Sequence, residues 1–208
     1  MKGIYFISGI DTDAGKTYMT GLLAKQLMDK GFSVITQKFI QTGNETWSED
    51  IEVHRRLMGT GMLPEDLDHT TAPEIFSYPA SAQLAARIDG RDIDLGKIKA
   101  ATTTLSERYD IVLIEGAGGL MVPINDNFFT IDYVADNNIP MILVTNGVLG
   151  SINHTILSLE AIRSRGIRLF AVIYNTFYDK DKIIADDTRG FISRYLATNF
   201  PDTSYIIM

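Results

Sequence analysis

Near the start of the chain, "GIDTDAGKT" (Gly9–Thr17) sets a lysine and a hydroxyl directly behind a glycine. That order serves phosphate binding. Glycine lets the backbone approach an anion closely, free N–H groups at a helix start point at it, a lysine reaches the outer phosphates and a hydroxyl ligates Mg²⁺. Lys16 and Thr17 are the candidates. The common form of the motif has four residues between its glycines. Here five stand between Gly9 and Gly15, Ile10 to Ala14. The alternative is an ordinary glycine-containing strand–helix turn, but the strand, loop, "GKT" and helix all follow in order.

Three other stretches carry charge where it can act. In "IEGAGGLMVP" (114–123), Glu115 ends an apolar run. A bare carboxylate is costly to bury there, and a bound Mg²⁺ would offset that cost. Gly116, Gly118 and Gly119 allow the backbone to bend around a ligand; a tight turn with an exposed glutamate is the plainer reading. In "QKFIQTG" (37–43), Lys38 ends a second strand, and taken alone it is a solvated strand-end lysine. Thr42 is a weak turn or hydroxyl signal. In "SEDIEVHRR" (48–56), Asp50 stands at a helix start, where the helix dipole favours an acid.

The elements that must hold these residues alternate. Continuous apolar runs at 4–8, 33–39, 110–116, 139–147 and 168–175 predict strands covered on both faces. Helices are expected at 17–30, 80–88, 95–108, 130–137, 151–165 and 181–198. In the first, Leu22, Leu23, Leu27 and Met28 would face the core and Gly31 would stop it. Such alternation predicts a doubly wound α/β domain spanning 1–208, with a mostly parallel sheet and helices on both faces. The stretch 40–79 is irregular and is expected to be loop and short helix. In sheets of this kind ligands bind at the carboxyl ends of the strands. Gly9 to Thr17, Lys38, Glu115 and Asn175 all fall there.

Composition excludes several classes. The chain has 208 residues and a formal charge of −7, a poor basis for nonspecific binding to nucleic acid or anionic membrane. It has no cysteine, so disulfides, thiolate catalysis and Cys-based zinc sites are out. No apolar stretch approaches the ~20 residues of a membrane span, and the opening run is too short for a signal peptide; a cytoplasmic protein is expected. His54, His69 and His154 show no metal spacing. They are expected to be solvated or hydrogen-bonded, with Trp47 a packing anchor and Phe128 and Phe129 covering the loop after "VPIND".

"GIDTDAGKT", "KFIQTG", "SEDIEVHRR", "EGAGGLMVPIND", "VLGSINHTILSLEAI" and "YN" occur in the order that they take in the dethiobiotin synthetase family. The resemblance runs from Tyr5 to about Asn175, and the longer loop is that family's own form. It implies an ATP- and Mg²⁺-dependent closure of a cyclic urea on 7,8-diaminononanoate with CO₂ or bicarbonate. By resemblance, Asp13, Ala14, Gly15, Lys16, Thr17, Tyr18, Glu115, Gly118 and Asn175 contact the nucleotide, with Asn175 at the adenine. Thr17, Asp50 and Glu115 share the metal. Thr12, Lys16, Lys38 and Thr42 surround the carbamate and γ-phosphate, and Thr12, Lys16 and Lys38 carry the catalysis.

The resemblance also implies a homodimer with the active site at its interface. Gly150, Ser151, Ile152 and Asn153, at a helix start suited to a carboxylate, would reach the substrate of the partner subunit. Pro79 and Ser81 in "YPASAQLAA" are further substrate contacts. Two departures stand out: Phe39 follows Lys38 where many members have proline, and the chain stops at "SYIIM", which predicts only modest discrimination between ATP and other triphosphates. The rivals are a nucleotide-switch ATPase of the partitioning or division-site type, disfavoured by Ile10–Asp11 where a second lysine is usual, and a glutamine-dependent amidating ligase, disfavoured by the missing cysteine.

Overall fold

The computed structural model describes residues 2–208. Its centre is a six-stranded sheet in the order β10-β9-β8-β1-β5-β2, with every neighbouring pair parallel. In chain order the elements begin with β1 (Gly3–Gly9), α1 (Lys16–Asp29), β2 (Val34–Lys38), β3 (Gln41–Thr42), α2 (Glu49–Met58), α3 (Pro64–Leu67), β4 (Ile75–Phe76), α4 (Ala82–Ile88) and α5 (Leu95–Arg108). There follow β5 (Ile111–Gly119), β6 (Pro123–Asn125), β7 (Phe128–Phe129), α6 (Thr130–Asp136), β8 (Met141–Asn146), α7 (Ser151–Ser164), β9 (Leu169–Asn175), a 3₁₀ turn (Thr176–Tyr178), α8 (Lys182–Asn199) and β10 (Ser204–Ile207).

Strand side chains alternate between faces, so β1 feeds two cores. Tyr5 and Ile7 join Met19, Leu23 and Leu27 of α1, while Phe6 faces the other side with Ile98 and Leu105 of α5 and Ile162 of α7. Burial on both faces explains the unbroken apolar runs. In α1 the buried stripe is Met19, Leu23, Ala24 and Leu27, with Leu22 and Met28 at its margins, because Met19 lies one turn ahead of Leu23.

The stretch 40–79 holds the loop and short helix expected of it and, beyond that, a small sheet. This stretch contains α2, ten residues long, and the small parallel sheet β3–β4. Ser48 caps α2 through the Ile51 N–H, and Gly59 ends it in the left-handed region. At Gly21 of α1, a Cβ would come within 2.7 Å of the Leu57 side chain. The bare glycine lets α2 lie close on α1, and this contact delivers the acidic face of α2 to the sheet edge. Phe128 and Phe129 form β7, paired antiparallel with β6 and half-buried against the second core. Trp47 lies edge-on to His69, ring centroids 6.1 Å apart.

Candidate active site

The loop after β1 turns into α1 at Gly15, whose φ of 87° is left-handed. A Cβ there would stand 2.2 Å from Asn175 Nδ2, so both the angle and the close approach require glycine. Asn175 lies at the end of β9 and is buried. Its Nδ2 donates to the Ala14 carbonyl at 3.1 Å and its Oδ1 accepts from the Phe177 N–H at 3.0 Å. The amide thus ties the loop to the 3₁₀ turn, and one N–H and one lone pair remain for any other partner.

Lys16 is buried, and its Nζ donates to the carbonyls of Asp11 and Thr12, each at 3.0 Å. Burial first, and then the neighbouring charge of Lys38, depress its ammonium to about 8, against the opposing pull of Glu115, Asp50 and Asp11. An anion set before this lysine would supply the missing countercharge.

Beside Lys16, four elements converge. Thr17 Oγ1, at the start of α1, lies 2.9 Å from Asp50 Oδ1 of α2 and 2.8 Å from Glu115 Oε1 of β5. Lys38, at the end of β2, donates to Glu115 Oε1 at 2.9 Å and to the Gly116 carbonyl at 3.2 Å, and pairs also with Asp50. Burial would push the Lys38 ammonium down, but the Glu115 and Asp50 carboxylates outweigh it and hold it above its usual value. Burial would likewise raise Glu115, but the charge on Lys38 and the bond from His54 hold its carboxyl well below the usual range.

The donor set fits Mg²⁺, which takes hard oxygen ligands and commonly uses one or two carboxylates beside phosphates and water. Thr17, Asp50 and Glu115 offer three such oxygens around a point where the Lys38 ammonium already pairs with both acids. Among the described residues no group of three or more His, Cys, Asp or Glu is placed to hold a metal ion, so the two carboxylates here would share it with the Thr17 hydroxyl and phosphate.

A cavity of about 480 Å³ opens next to this cluster, lined by Thr12, Thr42, Pro79, Ser81 and Gly118 among others. Gly118 has φ 68°, and a Cβ there would meet Val122 at 2.8 Å. Asp13 and Tyr18 are exposed, and Ala14 is buried in the loop. The loop before α7 is not brought to this cavity within one chain. Gly150 and Ile152 line a separate hollow with Ile183 of α8, and Ser151 borders another with Asp11 and Asp13. Ser151 is buried with an unpartnered hydroxyl, and Asn153 is exposed.

From the sequence His54 is expected only to be solvated or hydrogen-bonded, with no link to Glu115. It is fully buried, with Nε2 2.6 Å from Glu115 Oε2 and Nδ1 3.1 Å from Thr36 Oγ1. One signal was available: Asp50 and His54 are four apart on a helix and so share a face. His69 and His154 are exposed. No helix among the described residues is long and apolar enough to cross a membrane.

Comparison with known proteins bears on the fold and the family. Residues 4–199 match a family model described as an AAA domain. The ATP-dependent dethiobiotin synthetase BioD 2 of Pasteurella multocida is 48% identical over 100% of this chain and 98% of its own length. That of Haemophilus influenzae is 52% identical over 88% of this chain and 96% of its own. Among solved structures, a ParA family ATPase from Chlorobium tepidum superposes with a TM-score of 0.56 at 14% identity, covering 100% of this chain and 85% of the other. At that identity the likeness concerns fold alone. A parallel sheet with helices on both faces, the phosphate loop on its central strand, and near 50% identity to full-length relatives lead to one conclusion: the chain belongs to the ATP-dependent dethiobiotin synthetase family.

Proposed function

We propose that this chain is an ATP-dependent cyclo-ligase that closes the urea ring of dethiobiotin on 7,8-diaminononanoate with CO₂. The observation that carries the reading is the meeting of Lys16, Lys38, Asp50 and Glu115 where the extended phosphate loop enters α1. One amine nitrogen of the diamine bonds to CO₂ and loses a proton, giving a carbamate. A carbamate oxygen then attacks the γ-phosphorus, the bond to the bridging oxygen breaks, and ADP leaves with its electron pair. The second amine attacks the carbonyl carbon of the resulting mixed anhydride. Phosphate departs with the electron pair of its C–O bond, the nitrogen loses a proton, and the ring is closed.

No protein nucleophile is needed, because the substrate carries its own amines. What the protein must overcome is repulsion between carbamate and triphosphate, the positioned electrostatics on which phosphoryl transfer depends. Lys16 and the N–H groups of Asp13 to Tyr18 hold the phosphates. Lys38 turns its charge to the carbamate and the γ-phosphoryl group, while Thr12, Thr42, Pro79, Ser81 and Gly118 border the diamine. Mg²⁺ held by Thr17, Asp50 and Glu115 would neutralise phosphate charge. Asn175 stands at the base end of the nucleotide.

A homodimer would complete the site. Leu149 is 83% exposed and Leu157 62% exposed, apolar surface in keeping with a partner. The Gly150–Asn153 helix start would then hold the carboxylate of the partner's substrate. The test is incubation with the diamine, labelled bicarbonate and Mg-ATP: labelled cyclic urea is expected, formed with ADP and phosphate. Phosphate release that ignores both diamine and bicarbonate would instead mark a switch ATPase.

A further inference from the structure

Glu115 is gripped from behind. Its Oε1 faces Thr17 and Lys38, and its Oε2 lies 2.6 Å from His54 Nε2, out of solvent. The histidine belongs to a longer chain of buried groups. Asp66 and Arg55 pair in two-pronged fashion, Nε to Oδ2 at 2.8 Å and Nη2 to Oδ1 at 2.7 Å. Arg55 Nη1 donates to Thr36 Oγ1 at 2.8 Å, and Thr36 Oγ1 lies 3.1 Å from His54 Nδ1. The polar path thus runs Asp66, Arg55, Thr36, His54, Glu115.

Donor and acceptor roles along it follow from chemistry. Arginine has only donors, so the Thr36 oxygen accepts from Arg55 and its hydroxyl proton is left to donate. His54 Nδ1 is its partner within reach. Nδ1 then accepts, Nε2 carries the ring proton, and that N–H points at the Glu115 carboxylate. The opposite tautomer would set two acceptors, Nε2 and Oε2, against each other.

We infer that His54, oriented by Thr36 and Arg55, is a positioning residue that locks the Glu115 carboxylate so that Oε1 alone faces Thr17 and Lys38. This rests on the reading of Thr17, Asp50 and Glu115 as metal ligands. Groups that orient ligands in this way typically contribute about 10–100-fold to metal affinity. A freely rotating Glu115 would lose that preorganisation even with its position in the sheet intact.

The experiment titrates Mn²⁺, followed by electron paramagnetic resonance, into wild-type protein, His54→Leu, His54→Gln, Thr36→Val and Glu115→Gln, each with a non-hydrolysable ATP analogue. His54→Leu is expected to weaken Mn²⁺ at least tenfold. His54→Gln, which keeps an N–H, is expected to recover most of it. Thr36→Val, which keeps His54 but frees its tautomer, is expected to lose several-fold, while affinity for the metal-free analogue stays within about twofold of wild type. If His54→Leu does not fold, His54→Gln and Thr36→Val decide. Wild-type Mn²⁺ affinity in folded Thr36→Val and His54→Leu, or in folded Thr36→Val with no His54→Leu available, overturns the inference. If Glu115→Gln also binds Mn²⁺ like wild type, it is the metal-site reading that fails.

Discussion

Lys38 and Glu115 are partners on the last rung of the β2–β5 ladder, and their side chains meet with Nζ 2.9 Å from Oε1. The ladder itself brings the lysine to the carboxylate, since register partners on neighbouring strands present their side chains to the same face. Asp50 closes the pair from α2.

The first prediction follows from that triad. Lys38→Met leaves Asp50 and Glu115 facing each other without their cation. Breaking a buried pair in this way costs about 3–5 kcal/mol. Turnover should be lost and the melting temperature should fall. Millimolar Mg²⁺ should then stabilise the variant more than it stabilises wild type, because the metal replaces the lost charge. Thermal melts with and without Mg²⁺ read this directly. Equal Mg²⁺ stabilisation of both proteins would show that the lysine and the metal do not share these carboxylates.

Lys16 gives a prediction in pH. Its folded pKa is about 8 against 10.5 for the free side chain. Between those values the unfolded chain holds a proton that the folded one has lost, so this group makes the ligand-free protein more stable as pH rises through that window. Phosphate oxygens placed before the ammonium restore its proton. ATP binding at about pH 9 should therefore take up most of one proton. Titration calorimetry in buffers of different ionisation heat measures it, and Lys16→Met should abolish the uptake.

Asn175 can act on the loop or on the base, and one comparison separates the two. Its amide holds the Ala14 carbonyl. Asn175→Ala should loosen the loop by about 1 kcal/mol, roughly fivefold in affinity, and should do so equally for ATP and for inorganic triphosphate. A loss confined to ATP would assign the residue to the base instead.

A shared active site predicts complementation. In the proposed homodimer, Lys38→Ala and Gly150→Pro would each inactivate the site, from different halves of it. Mixed after reversible dissociation, they should regain about a quarter of wild-type activity, since half the dimers carry one intact site. No recovery in mixed dimers verified by mass would place both elements in a single chain's site.

The sequence was most legible where function is local. Gly15, Lys16 and Thr17 are consecutive, and backbone freedom, charge and hydroxyl are visible in three letters. Glu115 and Lys38 were marked by standing at the ends of apolar runs. The strand under Glu115 was read as ending at Gly116, yet β5 continues to Gly119. The register slips between Ile7 and Gly9 of β1, so the glycine segment stays alongside the phosphate loop. Its lack of side chains, read as bend, also serves close packing, since a Cβ at Gly116 would meet Phe6 at 2.9 Å. The region 40–79 was obscure for a different reason. β3 and β4 are two residues each, too short for any periodicity to register. The path from Asp66 to Glu115 was illegible because its members lie on four separate elements, and only the tertiary fold makes neighbours of them.

The strand that carries the phosphate loop precedes both of its neighbours in the sheet, β5 and β8, by a long stretch of chain. Phe6 is matched to Ile114 on one side and Met141 on the other. Both pairings close long stretches of chain, a slow kind of contact to establish. A growing polypeptide therefore has every residue of the loop long before it has a loop of the right shape. Nucleotide capture should come late in biosynthesis, as a sign that the middle of the sheet has been assembled.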